Sequence, residues 1–270
     1  MPQSSVEKEF QEMFDSIKDY PFDELDSKLQ RLNPRFYGKK WLDPKEFDEN
    51  GINSEVLDQV KKSLADNKVV VLVGNIRSGT TSVMQSWISE KKDDRVLIRA
   101  STPGFEKFYD IKNIATEGIF LDEMEALPER MQLVEDLQGS HDLVIRPHLV
   151  GIEFYREELQ KRGIEFEEVK ILPLNTDQMN GYLAQKLSLK TDDKFVNFIT
   201  KLAGGSIFLA NNLTDHFVDD LNLQGIRQTL EEEMVDPYIR DIHNKRLKIP
   251  KDLVECLPTP FIEKLMYKGQ

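Results

Sequence analysis

The stretch Lys68-Val69-Val70-Val71-Leu72-Val73-Gly74-Asn75-Ile76-Arg77-Ser78-Gly79-Thr80-Thr81-Ser82 decides the fold. Its first half is an apolar, largely β-branched run without a polar break, which predicts a strand buried on both faces, as in a parallel sheet. Its second half matches the phosphate-loop pattern G-x-x-x-x-G-K-[ST] at Gly74, Gly79 and Thr81. It departs from the pattern at Thr80, which stands in the lysine position. Two glycines let successive amides turn inward around an anion, and the following helix offers its N-terminus to the phosphates. Gly74, Asn75, Ile76, Arg77, Ser78, Gly79, Thr80, Thr81 and Ser82 are therefore the expected nucleotide-binding residues. Thr81 is placed to contact Mg²⁺ through its hydroxyl. The competing reading is a plain Gly/Ser turn between strand and helix.

Thr80 cannot do what the missing lysine does. The lysine reaches the β- and γ-phosphates and offsets charge that develops during transfer. Losing one such donor costs about 3–4 kcal/mol of transition-state stabilisation by analogy with other electrostatic donors. Weak nucleotide binding and impaired hydrolysis are expected. Arg77 is close in sequence, but its place in the loop does not aim it the same way.

Outward from this stretch, Val56, Val60 and Leu64 repeat at helical spacing before the strand. Further apolar runs follow at 96–98, 119–121, 143–145 and 169–172, with helix-compatible stretches at 80–91, 105–116, 125–138 and 153–161. Alternating strands and helices predict an α/β parallel sheet flanked by helices. Past Pro173 the strand signal stops, and 176–188, 192–203, 206–220 and 226–235 read as helices. The first opens on the capping signature Thr176-Asp177-Gln178, and Gly204-Gly205 marks a helix stop.

The expected organisation is an N-terminal arm (1–50), a phosphate-loop α/β domain (51–174), a helical domain (175–235) and a C-terminal tail (236–270). Within the arm, Phe10, Met13, Phe14 and Ile17 predict a short amphipathic helix, and Phe36, Tyr37 and Trp41 are expected to pack on the body or on a neighbouring subunit.

Ile119-Phe120-Leu121-Asp122-Glu123 ends a second strand in two carboxylates, 48 positions after Gly74. Delivered to the edge that holds the phosphate loop, Asp122 would hold Mg²⁺, usually through water, because hard oxygen ligands suit that ion. Glu123 would polarise an attacking water as general base. The plainer alternative is an acidic start to a solvent-facing loop.

Composition limits the remaining choices. The 270 residues carry 36 Lys and Arg against 48 Asp and Glu, a formal net charge of −12. That argues against polyanion binding over the whole surface, because phosphate attraction needs a local cation excess. A single cysteine, Cys256, excludes an intrachain disulfide and a cysteine metal cluster. No apolar run approaches a membrane span, and the opening MPQSSVEKEF lacks a signal core, so a cytoplasmic protein is expected.

Together, VVVLVGNIRSGTTS, IFLDEMEAL and EFEEVKILPLNTDQMNGYL resemble the AAA+ ATPases. The closer resemblance is to archaeal-type ATPases related to origin-recognition and replication-initiator proteins. It covers roughly 51–220 and implies a nucleotide-binding sheet domain followed by a small helical lid. ATP or ADP with Mg²⁺ is the implied cofactor, and self-association through AAA+ faces is implied as well. The first sensor falls on Arg146 or His148, either of which can also be an ordinary loop residue. Arg156 and Arg162 stand where the family places a finger reaching a neighbour's nucleotide, or they line a solvated helix face. The lid segment Ser206-Ile207-Phe208-Leu209-Ala210 lacks the arginine that family members often carry.

The tail is too short for the family's C-terminal winged helix, but Arg240, Lys245, Arg246, Lys248 and Lys251 form a basic cluster. It reads as a local DNA-phosphate contact or as a solvated basic segment. The implied function is ATP binding with weakened or absent hydrolysis, in DNA replication, recombination or mobile-element maintenance. Two alternatives stay open. One is an active ATPase compensated by another cation, and the other is a non-enzymatic assembly module.

Overall fold

The computed structural model describes residues 5–17, 19–21, 54–66, 68–75, 78–90, 94–100, 116–219, 248–258 and 261. The chain divides into two compact units, with a boundary between Leu172 and Pro173.

The first unit is built on a five-stranded parallel sheet. Its strands are β1 (Val69–Gly74), β2 (Arg95–Arg99), β3 (Gly118–Met124), β4 (Asp142–Pro147) and β5 (Phe166–Ile171). They lie in the order β2-β3-β4-β1-β5, and every pairing is parallel. Parallel neighbours need crossover connections, and helices supply them. Helix α3 (Thr80–Ser89) follows β1, α4 (Pro128–Leu137) joins β3 to β4, and α5 (Ile152–Lys161) joins β4 to β5. The expected parallel sheet flanked by helices is the architecture found.

All six residues of β1 are buried, as its apolar run requires. Helix α2 (Ser54–Ala65) packs on β1 and β5 and buries Val56, Val60 and Leu64, the face read from the sequence. Trp87 of α3 is fully buried, and the Arg95 guanidinium lies 4.3 Å from its ring centroid.

The strand order fixes where a ligand can sit. From β1 the chain runs out past β4 and β3 to β2, while β5 lies on the other side of β1. Open α/β sheets bind ligands outside the carboxyl ends of their strands, where the order reverses. The loop leaving β1 occupies that position.

A later segment returns to this unit. A 3₁₀ helix at Lys251–Cys256 buries Leu253 and Cys256, with the Cys256 Sγ 3.9 Å from the Val73 carbonyl of β1.

The second unit contains α1 (Ser5–Asp15), α6 (Thr176–Leu187), α7 (Lys194–Ala203) and α8 (Ile207–Asp219). Met13 and Ile17 are buried, as the amphipathic pattern predicts. Asn175, one residue before the expected start, caps α6 in a reciprocal box with Gln178. Asp193 caps α7 and also accepts from the Tyr20 hydroxyl at 3.2 Å. Helix α7 buries Phe195, Val196, Phe198, Ile199 and Leu202 and ends at Gly204.

The arm aromatics Phe36, Tyr37 and Trp41 and the helices expected at 105–116 and 226–235 lie outside the described residues. Among the described residues no helix is long and apolar enough to cross a membrane.

Candidate functional site

The site begins where β1 runs into α3. Just past Gly74, the Ser78 amide donates to the Asn75 carbonyl at 3.1 Å. A Cβ on Gly74 would come within 2.8 Å of Ser78 Oγ and 3.1 Å of Ile171 Cβ, so this close return needs glycine. Gly79 takes φ 87, in the left-handed region, and caps α3 without a side-chain hydrogen bond. The first-turn amides of a helix without such a cap are open to an anion.

Thr80 is the first residue of α3 and is 3% exposed. Its Oγ1 lies 2.9 Å from Ser78 Oγ, so the two hydroxyls bond to each other. Asn75 is buried, and its Oδ1 has no hydrogen-bond partner among the described residues. Ser82 lies within α3, and Ile76 and Arg77 lie outside the described residues.

The acidic end of β3 reaches the same place. Thr81 Oγ1 donates to Asp122 Oδ2 at 3.1 Å, tying the start of α3 to β3. Asp122 and Arg146 are register partners across β3 and β4. Arg146 Nε donates to Asp122 Oδ1, and its Nη2 lies 3.4 Å from Glu123 Oε1. Asp122 is 3% exposed and Arg146 8%.

The β3–β4 register shifts between Asp122 and Met124, and Glu123 takes φ 57. A left-handed conformation costs a residue with a Cβ roughly 1–2 kcal/mol. The kink lets consecutive carboxylates meet one guanidinium, whereas consecutive strand residues ordinarily point to opposite faces.

The open N-terminus of α3 offers donors to a polyphosphate. The Asn75 Oδ1 is an acceptor and contributes nothing to holding an anion. A divalent cation at Thr81 and Asp122 would need carboxylate oxygens as ligands. Both oxygens of Asp122 already accept hydrogen bonds, one from Thr81 and one from a guanidinium. Each of these oxygens keeps a second lone pair, so Thr81 and Asp122 fit a Mg²⁺ ion that Asp122 would hold through water.

The other expected residues are placed elsewhere. Arg156, on α5, donates through Nε and Nη2 to Glu168 at 2.5 and 2.6 Å, and through Nη2 to Asp252 at 2.7 Å. The hydrogen bond to Glu168 pushes the Arg156 pKa up further, and the one from Arg156 pulls Asp252 down. Arg162 pairs with Glu135 at 2.9 Å. His148 precedes a 3₁₀ turn at Leu149–Gly151 and is partly buried. Lys248 and Lys251 are exposed, while Arg240, Lys245 and Arg246 lie outside the described residues.

Two features had no reading in the sequence. One is the Arg146 pairing with Asp122, which only strand register reveals. The other is the return of 251–256 to the sheet, where Lys170 donates to the Asp252 carbonyl at 2.8 Å and to Glu255 at 2.7 Å. Alternating charge in Lys251-Asp252 and Glu255 is the sole local hint of it.

No family model matches the chain, and no curated protein matches it either. Solved structures do. The RuvB Holliday junction branch migration motor of Thermotoga maritima is 15% identical, covering 78% of this chain and 87% of its own, at a TM-score of 0.47. A Walker-type ATPase of Pyrococcus abyssi is 11% identical, covering 72% of this chain and 75% of its own, at a TM-score of 0.53. What the chain shares with that ATPase is the fold, a parallel sheet flanked by helices of the P-loop NTPase type.

Proposed function

We propose that this chain is an AAA+-like protein that binds ATP or ADP at residues 74–82, with hydrolysis weakened or absent. The observation that carries the reading is the Thr81–Asp122 hydrogen bond. It brings the phosphate-loop helix and the acidic strand end together at the carboxyl edge of the sheet, although 41 residues separate them in sequence.

Two further observations support weak hydrolysis. Thr80 places a buried hydroxyl where a lysine would place an ammonium group. Glu123, the expected general base, lies in a salt bridge with Arg146.

The resemblance to origin-recognition ATPases supports a role in DNA replication, recombination or mobile-element maintenance. Self-association through AAA+ faces belongs to the same reading. Arg240, Lys245, Arg246, Lys248 and Lys251 would make the local DNA contact. We assign Arg156 to anchoring the 251–256 segment rather than to a neighbour's nucleotide, because two carboxylates of its own chain already hold it.

Isothermal titration of the full chain with ATP tests the central claim. Saturable heat that Gly79→Val abolishes, with the far-UV spectrum unchanged, is the expected result. No heat up to millimolar nucleotide would overturn it.

A further inference from the structure

Residues 251–256 touch the sheet one step before the phosphate loop begins. Val73 and Lys170 are register partners across β1 and β5, and the next pair is Gly74 with Ile171. The segment meets both members of the first pair. Cys256 Sγ lies 3.9 Å from the Val73 carbonyl, and Lys170 Nζ donates to the Asp252 carbonyl at 2.8 Å and to Glu255 at 2.7 Å. Gly74 approaches its own partner so closely that an added Cβ would stand 3.1 Å from Ile171 Cβ and 2.8 Å from Ser78 Oγ. A continuous line of contacts therefore runs from the segment, through the ends of β1 and β5, into the turn that opens the loop.

The segment is held differently from the strands. Among the described residues its backbone hydrogen bonds are local, from Leu253 to Pro250 and from Leu257 to Val254, and none belongs to a sheet ladder. What fixes it is Leu253 and Cys256 in the core, with ion pairs from Asp252 to Arg156 and from Glu255 to Lys170. The Asp252 and Glu255 side chains are 55% and 57% exposed, so salt screens both pairs. The chain up to Arg246 and from Pro258 onward belongs to the helical unit, so the segment is an insertion into the sheet unit. An element with two buried side chains, exposed ion pairs and no ladder bonds lies at the low end of local stability and can open while the strands stay paired.

We infer that residues 251–256 form a brace that opens and closes on the folded sheet, and that a ligand at 74–82 and the closed brace stabilise each other. The inference rests on the nucleotide-binding reading above and adds a regulatory element to it. The closed brace fixes the ends of β1 and β5 from which the loop departs, and an open one leaves Val73 uncovered. Coupling of this kind is reciprocal: the factor by which closure tightens nucleotide binding is the factor by which nucleotide suppresses opening.

Cys256 is the only cysteine of the chain and is buried while the brace is closed, so its labelling reports opening. The experiment is maleimide labelling of the full chain at pH 8, followed by mass, with and without saturating ATP and Mg²⁺, beside calorimetry that establishes whether ATP is bound. Without nucleotide, the labelling rate should change little across urea concentrations well below the unfolding midpoint, the mark of a local opening. ATP with Mg²⁺ should slow it about fivefold or more in that range. A rate that tracks global unfolding throughout would overturn the brace. Local labelling that bound ATP leaves unchanged would overturn the coupling and leave the nucleotide reading standing. No heat with ATP would overturn the nucleotide reading, and the coupling with it.

Asp252→Asn combined with Glu255→Gln gives a second readout, since it removes the ion pairs and keeps Leu253 and Cys256. Labelling should rise about fivefold at low salt, and 1 M NaCl should speed the parent more than the variant. A double variant that labels at the parent's rate would overturn the assignment of these pairs as the clasp.

Discussion

Thr81 and Asp122 are joined by a hydrogen bond of 3.1 Å, which links the first turn of α3 to the end of β3. The acceptor is a buried carboxylate, so the bond contributes more than a neutral one. Thr81→Val keeps the shape and removes the hydroxyl. We expect a stability loss of about 1.5–3 kcal/mol in urea denaturation, the range for a hydrogen bond to a charged group. Thr81→Ser should recover most of that loss.

Arg146→Met strands the Asp122 carboxylate in the core. Removing one partner of a buried ion pair costs about 3–5 kcal/mol. Asp122→Asn in the same chain removes the unpaired charge, so the double variant should be more stable than Arg146→Met alone. A double-mutant cycle by chemical denaturation measures this coupling. Strictly additive losses would show that the pair is not energetically coupled.

Thr80→Lys restores the cation that the loop motif leads one to look for. The residue is buried and its hydroxyl is bonded to Ser78, so the longer side chain must leave that contact and run along the loop. We expect ATP affinity to rise about tenfold, equivalent to roughly 1.4 kcal/mol. If the missing lysine alone silences the chemistry, phosphate release should appear and Glu123→Gln should suppress it. Unchanged affinity would mean that the phosphates do not reach Thr80.

Cys256 is a buried thiol whose pKa burial pushes up from 9.0 to about 11, although Lys170 nearby acts in the opposite sense. A raised pKa in the folded state means that unfolding releases a proton at alkaline pH. The thiol's contribution is therefore intact below about pH 9 and is lost as pH rises toward 11. Wild type should lose more stability across that window than Cys256→Ala, compared in urea at each pH. The native thiol should also resist maleimide at pH 8, where the unfolded chain reacts.

Strands β1, β3 and β4 are legible because they are apolar and buried, whereas β5 is legible only over its second half, since Glu167, Glu168 and Lys170 break the apolar pattern. The run Val69–Val73 has no polar residue to expose, and a strand with both faces covered follows from that alone. Helix α7 was equally plain, with Phe195, Phe198, Ile199 and Leu202 on one stripe and glycine at its end. The start of α6 at Thr176 is as expected, but its cap is Asn175 rather than Thr176, because only the box to Gln178 separates the two.

The site was legible as a loop and an acidic strand end, but not as an assembled unit. Strand order and register set which side chains face Asp122, and neither is written in local periodicity. Arg146 is singled out, together with His148, only by the resemblance to the AAA+ ATPases, which puts the first sensor there. Its partner could not be read, because Asp122 lies 24 residues away and meets it only across the sheet. The left-handed Glu123 had no signal either, since nothing about glutamate favours that conformation.

The 251–256 segment has a consequence for how the protein is made. It follows the helical segment in sequence yet belongs to the sheet unit, lying against Val73 and clamping Lys170 and Arg156 through Asp252 and Glu255. Any fragment that stops at the end of β5 therefore exposes an unfinished core, however natural that cut looks in the linear map. During synthesis the ribosome must deliver the chain through Cys256 before β1 receives this neighbour.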